Sequence, residues 1–396
     1  MSSLLSYVWL SLKRGLGNYL RAEVLRRMGS PEAVYAADST MLAQSCPSLR
    51  RQHIELLCDK STDEAEQVIT QCAREDIRIL PVSDAAYPDR LRQIEDPPVV
   101  LYIRGRWPDF DTMPGIAVVG TRQATSYGVQ VAGTIGAELA KAGFVTVSGM
   151  ALGNDAAAHR GALRAGGLTV AVLAGGPDVC YPPQNRALMG DILLSGAVIS
   201  EYPPGTAAEA WHFPVRNRII SGLSLATIVV EAPEKSGALI TANTALEQGR
   251  DVFAVPGPID APMSRGCNRL IADGAAALIT DSWDVLREYE AQYPHKILGE
   301  RVELPRTLGY QAREELSRAK QAAAAAAEEA PTIPKLDLAK NDAGLTDDQI
   351  TILRALKDGP LQVDDIIEKT GLPTRRVLSA LTMMELEGHV EQGAGK

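Results

Sequence analysis

Positive charge is scarce in this chain of 396 residues: 40 Lys and Arg stand against 49 Asp and Glu, a formal net charge of −9. General polybasic attraction to nucleic acid or to an acidic membrane is therefore excluded, and any anion site must be a local patch. No apolar run approaches the roughly 20 residues that span a bilayer. The amino-terminal MSSLLSYVWLSLKRGLG has no basic segment ahead of its apolar part and no clear cleavage site, so it is expected to stay in the mature chain. Cysteine is sparse as well. Cys46, Cys58, Cys72, Cys180 and Cys267 include no C-x-x-C and no histidine at zinc spacing. This odd, scattered set fits reduced thiols, so a cytoplasmic protein with no metal is expected. No G-x-x-x-x-G-K-[ST] occurs, which argues against a P-loop ATPase. The loop Gly120–Gly128 is not G-x-G-x-x-G, and no acidic residue ends the following strand at Ser148. NAD and FAD are thereby disfavoured, and no cofactor is expected.

What is present reads as a soluble globular protein: 45% hydrophobic and 22% charged residues, long enough for two or three domains. Leu4, Val8, Leu12 and then Leu20, Val24, Leu25 recur at helical spacing, so residues 1–80 form a helical amino-terminal domain. Its Gly15-Leu16-Gly17 turn resembles helix-hairpin-helix or sterile-alpha-motif-like modules, and it serves a purely structural cap equally well. Ser30-Pro31 supplies a cap and a first-turn proline. Residues 96–105 are extended. From Ile116 short apolar runs alternate with amphipathic stretches. Strands are expected at Ile116–Val119, Phe144–Val147, Thr169–Leu173, Ala197–Ser200, Thr227–Glu231, Asp251–Val255 and Ala277–Ile279. Helices between them include Val129–Ala142 and Ala238–Gln248. Continuous Val/Ile/Ala runs suit strands buried on both faces, so residues 81–290 predict an α/β, extended Rossmann-like, doubly wound and mostly parallel sheet.

Residues 291–343 read as a linker, with a six-alanine run at Ala322–Ala327 broken by prolines. Residues 344–396 then carry a capping box at Thr346 and Gln349, three helical patterns and a terminal strand at Gly388–Glu391, which together describe a winged helix. Arg375 and Arg376 open its recognition helix. Counted from residue 343, this end of the chain holds six Lys/Arg against nine Asp/Glu, which favours contact with protein over contact with DNA.

In an open α/β sheet, ligands bind outside the carboxyl ends of the strands. Six of the expected strand ends lead into small-residue or polar loops whose amides suit phosphate. Among them, Trp211-His-Phe-Pro-Val-Arg-Asn-Arg-Ile-Ile-Ser221 places Arg216 and Arg218 around Asn217 with no acid between. The two guanidiniums are expected at the mouth of an element, with their planar forks turned to phosphate. Glu201 and Glu231 end strands and are expected to orient these arginines rather than to act as a hydrolytic carboxylate pair. Asp155 and His159, four residues apart, read as a helix start with a satisfied histidine.

The ordered blocks Val118-Val119-Gly120-Thr121-Arg122, Ser126-Tyr127-Gly128, Ser148-Gly149, Tyr181-Pro182 with Asn185, Phe213-Pro214 with Arg216–Ser221, and Lys235-Ser236-Gly237 with Thr241 resemble the DprA/Smf family, the DNA-processing proteins of bacterial natural transformation. The resemblance covers roughly Tyr87 to Ile279. It implies a non-enzymatic binder of single-stranded DNA that protects incoming strands and helps load the RecA recombinase, and a homodimer formed through the Rossmann-like domain. It also implies DNA contacts at Arg122, Arg216, Arg218, Lys235, Ser236 and Thr241, with Ser126 and Asn217 beside them. Tyr127, Tyr181 and Phe213 are the candidates for base stacking. One departure stands out: Leu152 occupies a position where some relatives carry lysine, and Arg160 is the candidate replacement. A nucleoside-monophosphate phosphoribohydrolase is the alternative, although Gly175-Gly176-Pro177-Asp178 only echoes the P-G-G-x-G-T-x-x-E run of such enzymes. A third reading is a scaffold acting through the winged helix.

Overall fold

A computed structural model describes residues 2–293, 345–359, 361–386 and 389–390. The chain divides into two compact units, Met1–Val302 and Glu303–Lys396. The first opens with six helices: α1 (Ser3–Ser11), α2 (Asn18–Met28), α3 (Pro31–Ala36), α4 (Ser39–Ser45), α5 (Arg51–Cys58) and α6 (Asp63–Arg74). Gly29, at a φ of 82°, ends α2 in the left-handed region that glycine tolerates. The Ser30 hydroxyl then accepts the Ala33 amide, with Pro31 in the first turn, as expected of that cap. The buried side of these helices includes Trp9, Leu10 and Leu57, and it shares one core with Val99 and with Val100 and Tyr102 of the sheet. The amino-terminal helices are therefore packed onto the α/β region within one unit.

Nine strands form one sheet: β1 (Arg78–Pro81), β2 (Val100–Gly105), β3 (Gly115–Val119), β4 (Val145–Ser148), β5 (Thr169–Val172), β6 (Ala197–Ser200), β7 (Ser224–Val229), β8 (Asp251–Ala254) and β9 (Ala277–Leu278). Their order is β1-β2-β6-β5-β4-β3-β7-β8-β9. All seven expected strands are present and pair in parallel. The added pair is antiparallel: β1 opposes β2, and β2 opposes β6. Four residues ending in proline are too few to show alternation, so β1 left no periodic signal. β3 to β7 are buried along their whole length, which explains their uninterrupted apolar runs. Successive strands step one way from β3 to β6 and the other way from β7 to β9. The reversal sits between β3 and β7.

Helices α8 (Ser126–Lys141) and α9 (Asn154–Arg164) cover one face, and α11 (His212–Gly222), α12 (Gly237–Glu247) and α13 (Arg265–Ala272) cover the other. Before them comes α7 (Asp89–Arg92), and α10 (Arg186–Ser195) and α14 (Trp283–Leu286) complete the layer. The arginine stretch departs from expectation. It is not the mouth of an element but the body of α11, with Arg216 and Arg218 both buried inside the protein.

In the second unit α15 (Asp347–Ala355), α16 (Val363–Thr370) and α17 (Thr374–Leu386) close around Ile352, Ile366, Val377 and Met384. Thr346 and Gln349 make both halves of the capping box. Arg376 is held by Asp348 at 2.6 Å, while Arg375 has no such pair among the described residues. Gly388 and Glu391 of the expected terminal strand, and all of the expected linker beyond residue 293, lie outside the described residues.

Candidate nucleic-acid interface

Because the strand order reverses between β3 and β7, the loops leaving these two strands diverge to opposite faces and leave a crevice between them. A cavity of about 420 Å³ occupies it. Its walls are the β3–α8 loop with Arg122, Ala151 of the β4–α9 loop with Asp155 in the first turn of α9, α11 from Phe213 to Ile220, and the β7–α12 loop with Lys235 and Ser236. The loops after β5 and β8 do not line it. The expected row of loops thus narrows to those beside the reversal.

Arg216 forms the floor. Only 5% exposed, it donates to the Gly149 carbonyl at 3.0 Å, to the Val172 carbonyl and, through Nε, to Asn217 Oδ1 at 3.3 Å. No carboxylate is in ion-pair contact with it among the described residues. Burial lowers its pKa to about 10, Asp155 acts against that shift, and Arg122 adds to it. The guanidinium therefore stays charged at neutral pH inside a low-dielectric wall, where an anion gains more than it would in water. Asp155 is turned to the Gly149 amide at 3.1 Å, and burial raises its carboxyl pKa in spite of Arg216.

Arg122 is exposed and lies over the Phe213 ring at 4.8 Å, with Arg216 at 6.0 Å from the same ring. Tyr181 does not line the cavity but reaches it through Phe213, ring centroids 5.5 Å apart. Lys235 is exposed at the rim. Ser236 caps α12 by accepting the Ala238 amide, which leaves the positive end of α12 at the cavity wall. Asn217 and Thr241 also line the cavity, and both turn their polar atoms to the Gly237 carbonyl at 3.5 Å, bracing that helix start.

Arg218 is placed elsewhere. Two residues on from Arg216 along a helix, it faces away from the cavity and is clamped by Asp96 at 2.8 Å and Glu201 at 2.8 and 2.9 Å. Glu201 thus does orient an arginine. Glu231 does not, and its carboxylate instead accepts from Thr125. Asp96 had no sequence signal, since its partner lies 122 residues away. Ser126 opens α8 on the surface, and Tyr127 donates to the Pro256 carbonyl at 3.2 Å. Neither lines the cavity. Leu152 and Arg160 are exposed, and the cavity lining includes neither.

His159 sits in the middle of α9, fully buried. Thr169 Oγ1 donates to the Thr146 carbonyl, so it accepts from His159 Nδ1 at 2.7 Å. The proton is therefore on Nδ1, and Nε2 has no hydrogen-bond partner among the described residues. The expected satisfied histidine is satisfied on one side only. Burial, with Arg216 and Arg160 adding to it, lowers its pKa from 6.5 to about 3. A depressed histidine keeps its full stabilising effect above the unfolded pKa and loses it as pH falls through this window. The melting temperature is accordingly expected to drop between pH 6.5 and about 3, and His159→Gln to show a smaller drop over the same range.

Fold and site together define a Rossmann-like α/β protein whose switch point carries an arginine-floored cavity in place of a dinucleotide fingerprint. Residues 78–290 match the family described as DNA recombination-mediator protein A, and residues 336–396 match the DprA winged helix domain. The chain belongs to the DprA/Smf family. It is 37% identical over 345 residues to the protein Smf of Synechocystis sp., covering 83% of this chain and 81% of that one. It is 43% identical over 229 residues to the DNA processing protein DprA of Bacillus subtilis, covering 57% and 77%. The X-ray structure of DprA from Streptococcus pneumoniae matches with a TM-score of 0.64 at 36% identity, covering 73% of this chain and 99% of that one. A structure of DNA processing protein A from Helicobacter pylori, described for its single-stranded DNA binding mode, matches with a TM-score of 0.50 at 30% identity, covering 55% and 97%. Among the described residues no helix is long and apolar enough to cross a membrane.

Proposed function

We propose that this chain binds single-stranded DNA at the switch-point cavity, shields the strand and passes it to the RecA recombinase, acting in the cytoplasm as a homodimer joined through the Rossmann-like region. The observation that carries the binding step is Arg216: a buried guanidinium opening on a cavity, bonded to carbonyls and, among the described residues, in ion-pair contact with no carboxylate. A backbone phosphate supplies the missing anion. Arg122 and Lys235 hold neighbouring phosphates, and Phe213, extended by Tyr181, offers a face to an unpaired base. Duplex DNA keeps its bases stacked inside and cannot use that face. The single-stranded DNA binding named for the Helicobacter pylori relative supports the same ligand. Arg218 is assigned to bracing α11, and Ser126 and Tyr127 to the outer surface beyond the cavity.

The role is binding rather than turnover. Among the described residues, Asp155 is the carboxylate that lines the cavity, while Glu201 and Glu231 are committed to Arg218 and Thr125. A phosphoribohydrolase would need a second acid or base at the reacting atom.

Fluorescence anisotropy with matched single- and double-stranded oligonucleotides tests the proposal. Single strands are expected to bind more tightly, with log K falling against log salt at a slope near −2, about −0.7 for each of the phosphates held by Arg122, Arg216 and Lys235. Equal affinity for both forms, or a slope near zero, would contradict it. Release of free base from nucleoside monophosphates would favour the enzyme.

A further inference from the structure

One of the cavity's exposed cations, Arg122, is carried by a short loop, and a single residue on another strand's loop holds both ends of it. Thr121 N donates to the Glu231 carbonyl at 2.7 Å. Four residues on, Thr125 donates twice to the Glu231 carboxylate, from its amide at 2.9 Å and its hydroxyl at 2.6 Å. Arg122, Gln123 and Ala124 thus bridge two anchor points that both belong to Glu231. The carboxylate is buried, at 3% exposed, and no lysine or arginine is in ion-pair contact with it among the described residues. Its charge faces the start of α8, where Thr125 Oγ1 also accepts the Gly128 amide at 3.3 Å. A Cβ at Gly128 would lie 1.9 Å from Glu231 Oε2, so only glycine lets the carboxylate reach the loop. From below, Asn154 wedges against Gly120 and Gly128, its side-chain amide buried and without a hydrogen-bond partner among the described residues, and its backbone amide donates to the Thr121 carbonyl at 3.3 Å. Glu231 itself begins the loop that carries Lys235 on the opposite wall.

We infer that Glu231 is the positioning residue of the site: through Thr121 and Thr125 it sets the place of Arg122 against Phe213 and ties the Arg122 wall to the Lys235 wall. The inference rests on the proposed binding of single-stranded DNA. Glutamine at 231 offers one carbonyl oxygen where the threonine amide and hydroxyl need two, so the loop loses an anchor while the backbone contact to Thr121 persists.

The test measures affinity for a fluorescein-labelled oligothymidylate in the full-length chain. Glu231→Gln is expected to weaken binding about tenfold, the value of a charge-assisted contact, and to make the salt slope shallower by about 0.7, the one phosphate Arg122 holds. In an Arg122→Ala background the same substitution changes affinity less than about twofold, whereas in a Lys235→Ala background the tenfold loss recurs. Thr125→Val reproduces the loss and Thr125→Ser restores binding, which decides the matter even if Glu231→Gln folds poorly. An equal loss in the Arg122→Ala background, or a Thr125→Val chain that binds as the wild type does, overturns the positioning role and leaves the binding site standing. A wild-type chain that fails to bind the oligonucleotide overturns the proposed function and this role with it.

Discussion

Arg216→Ala is expected to reduce single-stranded DNA affinity by about two orders of magnitude, the largest loss of any single substitution in the cavity. A hydrogen bond to a charged group contributes about 1.5–3 kcal/mol, and a buried, preoriented fork works near the top of that range. The arginine's own bonds to the Gly149 and Val172 carbonyls hold the guanidinium in place before the strand arrives. Little ordering entropy then remains to be lost on binding. Arg216→Lys keeps the charge but cannot bridge both carbonyls and a phosphate, so an intermediate loss is expected. The alanine variant also leaves Asp155 buried without its nearby cation and two carbonyls without their donor, so some loss of melting temperature accompanies the binding defect. Affinity measured well below the variant's melting temperature separates the two effects. Binding within about twofold of the wild type would remove Arg216 from the site.

Arg218→Ala is expected to act on the fold instead. Removing the guanidinium leaves Asp96 and Glu201 without their shared ion-pair partner, and Glu201 is almost as buried as the arginine it holds. Breaking a buried pair in this way costs about 3–5 kcal/mol, or a fall in melting temperature of roughly 10 °C for a unit of this size. Arg218→Lys retains charge but reaches one carboxylate at a time, so about half that fall is expected. The salt slope of DNA binding by the folded fraction should match the wild type, because no phosphate contact is lost. Thermal unfolding followed by circular dichroism, with anisotropy titrations at low temperature, checks both statements. A shallower slope with an unchanged melting temperature would place Arg218 on the DNA and not in the brace.

These two arginines mark where sequence reading stops. Their charge, their setting among phosphate-suited loops and the absence of any acid between them were all legible, and each was a candidate DNA contact. Two residues along a helix amount to a rotation of about 200°, which turns one guanidinium into the cavity and the other to Asp96 and Glu201. Only the helical state of residues 212–222 and the long-range approach of Asp96 assign them to opposite sides. Glu231 shows the same limit. It was legible as a strand-end acid, but its partner Thr125 lies 106 residues away, across the strand reversal.

Sequence alone sets the parallel α/β core, because uninterrupted Val/Ile/Ala runs separated by amphipathic helices have few other ways to bury their apolar surface. It also determined which loops are rich in small residues and cations, and the family those ordered blocks belong to. The tertiary structure decided which of these loops share a cavity, since those leaving β3, β4 and β7 meet there with α11. It further decided that β1 and β2 extend the sheet and share a core with the amino-terminal helices, and which of the two arginines turns to the cavity. Such contacts depend on helix rotation and on pairs more than a hundred residues apart, and neither is written in local composition or periodicity.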